Sequence, residues 1–463
     1  MEVNLKIEAM QEQLVQAVQE ILKIRSVEDE PKPGMPFGEG VARALDCALD
    51  ISKNLGFKTA NLDGYIGYAE YGEGEDYIGV LGHLDVVPEG NGWLYPPYGA
   101  EIHEGKLYAR GSVDDKSPIM ACLFGLKTIK DLNLPLSKKV RIIFGTNEET
   151  GSAEIAYYLK KEKPPAAGFT PDANYPIIYA EKGITIFDLV KDLNKKSAGP
   201  LQIKYIKGGE RPNMVPDYAE AGIVAADKAA LISRAEAYAS RTGFDINAVE
   251  ASDLIVLKSV GLSAHGSLPQ LGKNAIVQLF DLLGTLPLPD CDIADFIHFI
   301  NKNAGFDVYG EGLGIGLEDK ESGKLSFNVG VVNMDENRIA MALNLRYPVT
   351  FKLEDMMNPF NDRIRSTGIR IENFQHQGPL FFPVSHPLIK SLQKVYTEQT
   401  GKEATLLAIG GGTYAKEMPN IVAFGPIFPG EPDLDHQVNE YMTLDNLLAI
   451  TKIYAHAIYE LAK

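Results

Sequence analysis

Residues Gly79–Pro88, Gly-Val-Leu-Gly-His-Leu-Asp-Val-Val-Pro, decide how the rest of the chain is interpreted. The apolar residues in the first half of this stretch predict a buried strand, which Pro88 ends. Buried strands rarely carry a histidine and an aspartate, because burying these groups without partners is costly. Alternation along a strand points His83 and Asp85 the same way, which suits a metal-binding imidazole held by a carboxylate. A strand end with a self-satisfied His–Asp hydrogen bond explains these residues equally well.

The composition limits the class of protein. The chain has 463 residues, of which 45% are hydrophobic and 23% charged, as in a soluble globular protein with about two or three domains. The formal net charge of −17 argues against nucleic acid or an anionic membrane as a partner. No apolar run approaches the roughly 20 residues of a transmembrane helix, and the first residues lack signal-peptide features. The three widely spaced cysteines predict a reduced, cytoplasmic protein.

Two acidic pairs follow the first motif. Asp114 and Asp115 precede a predicted helix, where they act either as an N-terminal cap or, as we favour, supply a metal ligand. Glu148 and Glu149 come directly after a predicted strand, which is where α/β enzymes place their chemistry. Adjacent acids repel one another unless a cation or a proton is shared between them. In isolation, a solvated turn is the better interpretation of the two glutamates.

The character of the sequence changes near residue 183. From there to residue 378, alternating strand-like runs mix with helices, which predicts an inserted α+β domain. Residues 1–182 and 379–463 then form one α/β domain, beginning with an amphipathic helix over residues 2–24. The predicted fold class is therefore α/β, with a central mixed sheet flanked by helices and an inserted α+β lid over residues 183–378.

Polar residues at loops and strand faces mark the later part of the chain. His265 lies in a Gly/Ser loop, and His436 lies in an acidic loop before the closing helix. Arg346 shares a predicted strand face with Asn344, where its guanidinium either binds a carboxylate or forms a surface salt bridge. The glycines of Leu406–Thr413 are expected to open a helix whose free N–H groups can hold an anion.

Five separated residues offer nitrogen or oxygen donors without a thiolate: His83, Asp114, Glu149, Asp172 and His436. Asp172 would be an ordinary turn residue if it stood alone. Together the five suit two borderline divalent ions that share a carboxylate and clamp a water molecule. A neighbouring carboxylate can then take a proton from that water, and Glu148 is the natural base.

In their order and local contexts these segments resemble the co-catalytic di-zinc metallopeptidase superfamily, which includes aminoacylases, succinyl-diaminopimelate desuccinylases and carnosinases. The shared pattern is His-x-Asp, Asp-x-Lys, Glu-Glu, a further acid and a late histidine. The sequence is most similar to the PepV-type bacterial dipeptidases, through Leu-Gly-His-Leu-Asp-Val-Val-Pro, Phe-Thr-Pro-Asp-Ala and Ser-Ala-His-Gly. The resemblance covers nearly the whole chain.

The resemblance implies a specific distribution of metal ligands. One metal would be held by His83, Asp114 and Asp172, and the other by Asp114, Glu149 and His436. Asp85 would orient His83, and Glu148 would be the general base. Relatives often have a cis peptide after the shared aspartate, which here would join Asp114 to Asp115.

The resemblance also implies roles for residues of the inserted domain. The histidine that matches His265 stabilises the tetrahedral oxyanion, and residues matching Asn213 and Arg346 hold the substrate. We expect backbone N–H groups at Gly411 and Gly412 to complete the substrate pocket. Because the lid is long enough to supply His265 in the same chain, we expect a monomer.

We therefore predict a cytoplasmic metallo-dipeptidase that acts on dipeptides with a free N-terminus, with β-alanyl and Xaa-His dipeptides among the candidate substrates. The expected cofactors are two divalent ions, Zn²⁺ first, with Mn²⁺ and Co²⁺ as alternatives. A small peptide is the only partner predicted, with neither nucleic acid nor membrane. One alternative is an N-acyl amino acid deacylase of the desuccinylase or acetylornithine deacetylase type. Another is a non-catalytic metal- or peptide-binding protein, which would need neither Glu148 nor His265.

Overall fold

The structure, a computed structural model, describes residues 2–196 and 199–463. Its helices in these ranges are α1 (Glu2–Ala9), α2 (Gln11–Leu22), α3 (Glu39–Asn54), α4 (Lys116–Asp131), α5 (Ala153–Lys161), α6 (Lys228–Thr242), α7 (Ala275–Thr285), α8 (Asp292–Asn303), α9 (Leu353–Ile364), α10 (Pro387–Thr400) and α11 (Leu444–Ala462). Short 3₁₀ turns lie at Glu148–Thr150, Pro269–Leu271 and Tyr414–Lys416. No helix within the described ranges is both long and apolar enough to cross a membrane.

The strands are short and numerous. They are β1 (Lys58–Leu62), β2 (Ile66–Tyr71), β3 (Tyr77–His83), β4 (Glu101–His103), β5 (Lys106–Tyr108), β6 (Lys139–Gly145), β7 (Ala167–Thr170), β8 (Ala173–Asn174), β9 (Ile177–Glu181), β10 (Gly183–Asp192), β11 (Leu201–Gly208), β12 (Tyr218–Ala225), β13 (Asp245–Ala251), β14 (Leu254–Val260), β15 (Glu318–Asp319), β16 (Gly323–Lys324), β17 (Ser326–Met334), β18 (Arg338–Tyr347), β19 (Arg370–Gln377), β20 (Leu380–Phe381), β21 (Leu406–Ile409), β22 (Ile421–Ala423), β23 (Pro426–Ile427) and β24 (Tyr441–Thr443).

The chain divides into two compact units. The first contains the residues up to Tyr179 together with Phe382–Leu407 and Gly412–Lys463. The second contains Ala180–Phe381 and the four residues Ala408–Gly411. The predicted fold class is confirmed, since a mixed sheet with helices forms the first unit and a separate α+β unit is inserted into it. The catalytic and lid functions assigned to these regions stay predictions.

A mixed sheet with a parallel centre organises the first unit. Its strands follow the order β1-β2-β6-β3-β7-β22-β9, and β3 pairs parallel with both β6 and β7. Every residue of β3 is buried, as expected of a nearly continuous apolar strand that is covered on both faces. Helices α4 and α11 pack against each other and against β3. The carboxyl ends of β3, β6 and β7 therefore lie side by side at one edge of the sheet.

The second unit is built on an antiparallel sheet. Its strands follow the order β13-β14-β12-β11-β17-β18-β10-β19, and residues of α6 to α9 share one hydrophobic core with it. Strand β18 alternates as the sequence predicts: Leu343 and Leu345 lie in that core, while Asn344 and Arg346 occupy the opposite face. That second face is buried as well, because Asn344 and Arg346 are 0% and 4% exposed.

The single helix predicted over residues 2–24 is wrong, because the structure has two helices there. The chain leaves the helical path at Met10, which ends α1 and precedes α2. The break lets α1 contact α11 while α2 packs against α3, and both helices contact α4. Ile7 and Leu14 are both buried, so apolar side chains on either side of the break lie in the core.

Candidate metal centre

Three neighbouring strands deliver acidic residues or histidines to the same edge of the first unit's sheet. His83 is the last residue of β3, and it is the register partner of Gly145, the last residue of β6. The 3₁₀ turn with Glu148 and Glu149 follows β6, and Asp172 follows β7. Because carboxyl ends of adjacent parallel strands meet at one edge, residues far apart in the sequence come together here.

The His83 imidazole is fully buried and both of its nitrogens have oxygen neighbours. Nδ1 lies 2.9 Å from the backbone oxygen of Asp85, so this nitrogen donates to a carbonyl. Nε2 lies 2.7 Å from Oδ1 of Asp114 and 3.6 Å from Oδ2 of Asp172. Backbone hydrogen bonding at Nδ1 leaves Nε2 directed at the two carboxylates, which is the arrangement of a ligating imidazole.

Asp85 differs in detail from the sequence prediction. Its carboxylate was expected to hold the His83 ring, but Oδ1 is 3.5 Å from Nδ1 and the backbone oxygen is closer. The carboxylate instead accepts the backbone N–H groups of Glu148 at 3.3 Å and Glu149 at 3.1 Å. Asp85 therefore ties the end of β3 to the acidic turn after β6, which no sequence pattern indicated.

The carboxylate of Asp114 lies between the two histidines. Its Oδ1 is 2.7 Å from Nε2 of His83, and its Oδ2 is 3.2 Å from Nε2 of His436. The same nitrogen of His436 is 3.0 Å from Oε2 of Glu149. One carboxylate thus directs each of its oxygens toward a different histidine, which is the geometry of a bridging ligand.

Two overlapping groups of side chains bring their ligand-capable atoms within 4.8 Å of one another. The first is His83, Asp114 and Glu149, and the second is His83, Glu148 and Asp172. In the second group, Glu148 is as close to His83 as two ligands of the same metal ion would be to each other. Among the described residues, Oε1 of Glu149 is buried without a hydrogen-bond partner. An orphaned carboxylate oxygen beside other acids is a position that a bound cation would satisfy.

Burial and mutual repulsion raise the pKa values of several of these acids. Burial and the charge of Asp114 raise the pKa of Asp172 to about 7 and also raise that of Glu149. Burial and the charges of neighbouring acids raise the pKa of Glu148 well above its usual value, against the effect of His83. Hydrogen bonds to Asp114 and Glu149 raise the pKa of His436 to about 11. In this cluster four carboxyl groups, those of Asp114, Glu148, Glu149 and Asp172, share two histidines as cationic partners, and burial and repulsion disfavour the charged forms of the last three.

Asp115 has a role that the sequence did not show. It occupies the residue before α4, but its side chain does not cap that helix. Its Oδ2 accepts the backbone N–H of His83 at 3.1 Å, and the peptide bond that joins it to Asp114 is cis, as the resemblance implied. Of the two adjacent aspartates, Asp114 faces the histidines and Asp115 holds the strand end.

Three of the predicted site residues, Asn213, His265 and Arg346, belong to the second unit. The backbone N–H of Gly266 donates to the oxygen of Asn213 at 2.7 Å, so the segments of Asn213 and His265 lie together. His265 is exposed, and its Nδ1 lies 2.6 Å from Oγ of Ser267. Partial burial of the ring and the charge of Arg346 lower the pKa of His265, which favours a neutral imidazole.

Arg346 is a buried cation, and in residues 2–196 and 199–463 its hydrogen bonds go to an amide and a carbonyl rather than to a carboxylate. Its Nε donates to Oδ1 of Asn344 at 3.0 Å, and Nη1 donates to the backbone oxygen of Gly410 at 2.6 Å. Burial lowers the pKa of Arg346 to about 10. The surface salt bridge considered from the sequence is therefore wrong, and the guanidinium stays available for an anion.

The glycine turn is not a helix start. Gly411 and Gly412 follow β21 in a bend, and only a 3₁₀ turn of three residues, Tyr414–Lys416, comes after Thr413. The expectation that Leu406–Thr413 opens a helix is wrong, since β21 occupies its first half. In this region the structure offers the carbonyl of Gly410 to Arg346. Substrate contacts of Gly411 and Gly412 stay a prediction.

Glu440 is a buried residue of this site that sequence reasoning missed. Its side chain is fully buried and accepts N–H groups from the loop that carries Asp114. Burial and the charge of Asp114 raise the pKa of Glu440 to about 7. The only available signal was an acid four residues after His436, which is too common a spacing to indicate a role.

The chain is similar to known proteins in both sequence and fold. The sequence model of "Peptidase family M20/M25/M40" matches residues 79–460. The chain is 43% identical over 456 residues to the protein named "Putative dipeptidase YtjP" of Bacillus subtilis (strain 168), covering 98% of each chain. The solved structure of the dipeptidase Dug1p of Saccharomyces cerevisiae is similar with a TM-score of 0.58 at 14% identity, covering 99% of this chain and 98% of that one. Human carnosine dipeptidase 1 is similar with a TM-score of 0.56 at 17% identity, covering 99% of both.

Proposed function

The chain belongs to peptidase family M20/M25/M40, and we propose that it is a metal-dependent dipeptidase acting on peptides with a free N-terminus. The family makes it a peptide hydrolase, as its resemblance to di-zinc peptidases predicted. The observation that carries the finer proposal is the division of the Asp114 carboxylate between His83 and His436. The relative from Bacillus subtilis, whose name is "Putative dipeptidase YtjP", supports the preference for dipeptides.

The donor set fits two divalent cations. We assign His83, Asp114 and Asp172 to one ion, and Asp114, Glu149 and His436 to the other. All donors are nitrogen or oxygen atoms, which suit such ions. Bound cations would also neutralise the buried carboxylates, whose repulsion raises the pKa values of Asp172 and Glu149. We take Zn²⁺ as the native ion, with Mn²⁺ and Co²⁺ as alternatives that suit the same donors.

The chemistry divides between the ions and the protein. The two ions, held by the five side chains assigned above, would supply Lewis acidity to the scissile carbonyl and to the attacking water molecule. Glu148 accepts the proton of that water and delivers it to the leaving amine. Asp85 fixes the backbone of Glu148 and Glu149 through their N–H groups. His265, which its surroundings keep neutral, donates an N–H to the developing oxyanion.

The cellular location and the oligomeric state of the enzyme are also part of the proposal. We place the enzyme in the cytoplasm, in agreement with Cys47, Cys122 and Cys291 being unpaired. We also propose that the chain acts as a monomer, since the resemblance assigns His265 to the same chain as the metal ligands.

The choice between a dipeptidase and an N-acyl amino acid deacylase is tested with a substrate panel. We expect hydrolysis of Ala-Ala and of β-alanyl-histidine, and none of N-acetyl or N-succinyl amino acids. The expectation comes from the resemblance: among the proteins that the sequence resembles, an aspartate at the position of Asp172, rather than a glutamate, accompanies substrates with a free amino group. Release of free amino acids, measured by chromatography, gives the answer. Preferential cleavage of the acylated compounds would contradict the dipeptidase assignment and favour the deacylase.

A further inference from the structure

The Glu440 carboxylate is a backbone anchor for the loop that carries Asp114. Its Oε2 accepts the N–H of Gly111 at 3.0 Å, and its Oε1 accepts those of Val113 at 2.7 Å and Asp114 at 3.2 Å. The side chain is fully buried, so water does not compete for these bonds. The single carboxylate of Glu440 thus fixes the main chain from Gly111 to Asp114, the candidate bridging ligand.

Arg110 connects this anchor to the other ligand loop. Its Nη1 donates to Oε2 of Glu440 at 2.7 Å, and its Nη2 donates to the backbone oxygen of His436 at 3.3 Å. The guanidinium is buried, and its carbon lies 5.4 Å from the centre of the Trp93 ring. The two loops that supply Asp114 and His436 are therefore held by one buried ion pair.

We propose that Arg110 and Glu440 are positioning residues that hold Asp114 and His436 in place for the metals before any ion binds. This inference rests on the proposed metal centre. Without an ion, the carboxylates clustered around Asp114 repel one another, which would displace the loops that carry the ligands. The hydrogen bonds from Arg110 and to Glu440 act on the backbones of the Asp114 and His436 loops, so they resist displacement of these two loops without occupying a ligand position.

The first test compares metal affinity with stability. We expect Glu440→Gln to weaken the binding of Zn²⁺ to the chelator-treated protein by about 10–100-fold, as for other residues that support ligands. Arg110→Lys keeps the charge but cannot contact both Glu440 and the backbone oxygen of His436, so it should also weaken the binding of Zn²⁺. The matched control is Glu70→Gln, which removes a 2.7 Å contact with the buried Arg141 at the opposite end of β6.

Competition titration against a chelator gives the affinity, and thermal unfolding of the metal-free proteins gives the stability. The inference predicts weaker Zn²⁺ binding in Glu440→Gln but unchanged binding in Glu70→Gln, even where their melting temperatures fall equally. Unchanged binding in Glu440→Gln, with normal binding in the wild type, would overturn this inference alone. A wild type that binds none of Zn²⁺, Mn²⁺ and Co²⁺ would overturn the proposed function.

A second test needs no variant and decides the matter even if the substitutions prevent folding. Hydrogen exchange of the metal-free wild type should show slow amides at Gly111 and Val113, because Glu440 already accepts them. If these amides exchange as fast as exposed loop amides and slow only when Zn²⁺ is added, the metal orders the loop. The Arg110–Glu440 pair would then have no positioning role.

Discussion

Replacing Glu148 by alanine is expected to lower the turnover of an unmodified dipeptide by about 10²–10⁴-fold or more, while two ions stay bound. The side chain moves a proton in our account and holds no metal. The contacts among Asp114, Glu149 and His436 do not involve it. Asp85 holds Glu148 through the backbone N–H, which alanine retains. Steady-state kinetics and metal analysis of the same preparation measure both parts of the prediction.

Glu148→Gln is the matched variant, because it keeps the size of the side chain and removes the proton acceptor. It should be as inactive as the alanine variant and bind the same number of ions. The structure also allows the opposite result, because the ligand-capable atoms of Glu148, His83 and Asp172 lie within 4.8 Å of one another. Loss of one ion together with activity would make Glu148 a ligand, and the base would have to be sought elsewhere.

The second large effect concerns the free carboxylate of the substrate. Arg346 is buried, and its described hydrogen bonds go to an amide and a carbonyl rather than to an acid. A substrate carboxylate would complete its charge pairing. Removing one partner of a buried charge pair typically costs about 2–5 kcal/mol. Dipeptide amides should therefore lose roughly 30-fold or more in kcat/KM compared with free dipeptides.

Variants of Arg346 test whether this residue causes the preference. Arg346→Ala should weaken hydrolysis of the free dipeptide strongly and narrow the gap between dipeptide and amide. Arg346→Lys should restore the preference only in part, because a point charge cannot replace the planar fork. The control is Arg338→Ala, an exposed arginine on the same strand, which should behave as the wild type. Equal cleavage of dipeptides, amides and tripeptides by the wild type would remove both the role of Arg346 and the dipeptidase assignment.

Much of the architecture could be predicted from local patterns. The apolar run before His83 and the acids after β6 and β7 are short-range signals, and parallel pairing brings such strand ends together. The sequence placed His83 and Glu149 at strand ends, whereas Asp172, taken alone, predicted no more than a turn. Asp114 was favoured as a ligand because it pairs with Asp115 before a helix, and His436 entered the donor set from its acidic loop. The resemblance supplied their distribution over two metals. That all five bind metal stays a proposal.

What could not be predicted depends on contacts between distant parts of the chain. The break at Met10 follows from how α1 and α2 pack against other helices, and no proline or glycine marks it. Glu440 accepts amides more than 320 residues earlier in the chain, which no local pattern encodes. Arg346 is a similar case. Alternation along β18 predicts that Arg346 lies on the face opposite the core, but it does not predict that this second face is also buried.

The central claim is that two divalent ions held by these residues are required for peptide cleavage. The direct measurement removes metal with a chelator, verifies the fold by circular dichroism, and returns Zn²⁺ stepwise while bound ions and dipeptide hydrolysis are both followed. The account predicts no detectable hydrolysis in the folded metal-free protein and full activity at two ions per chain. Hydrolysis by the metal-free protein, or full activity with a single ion bound, would contradict it.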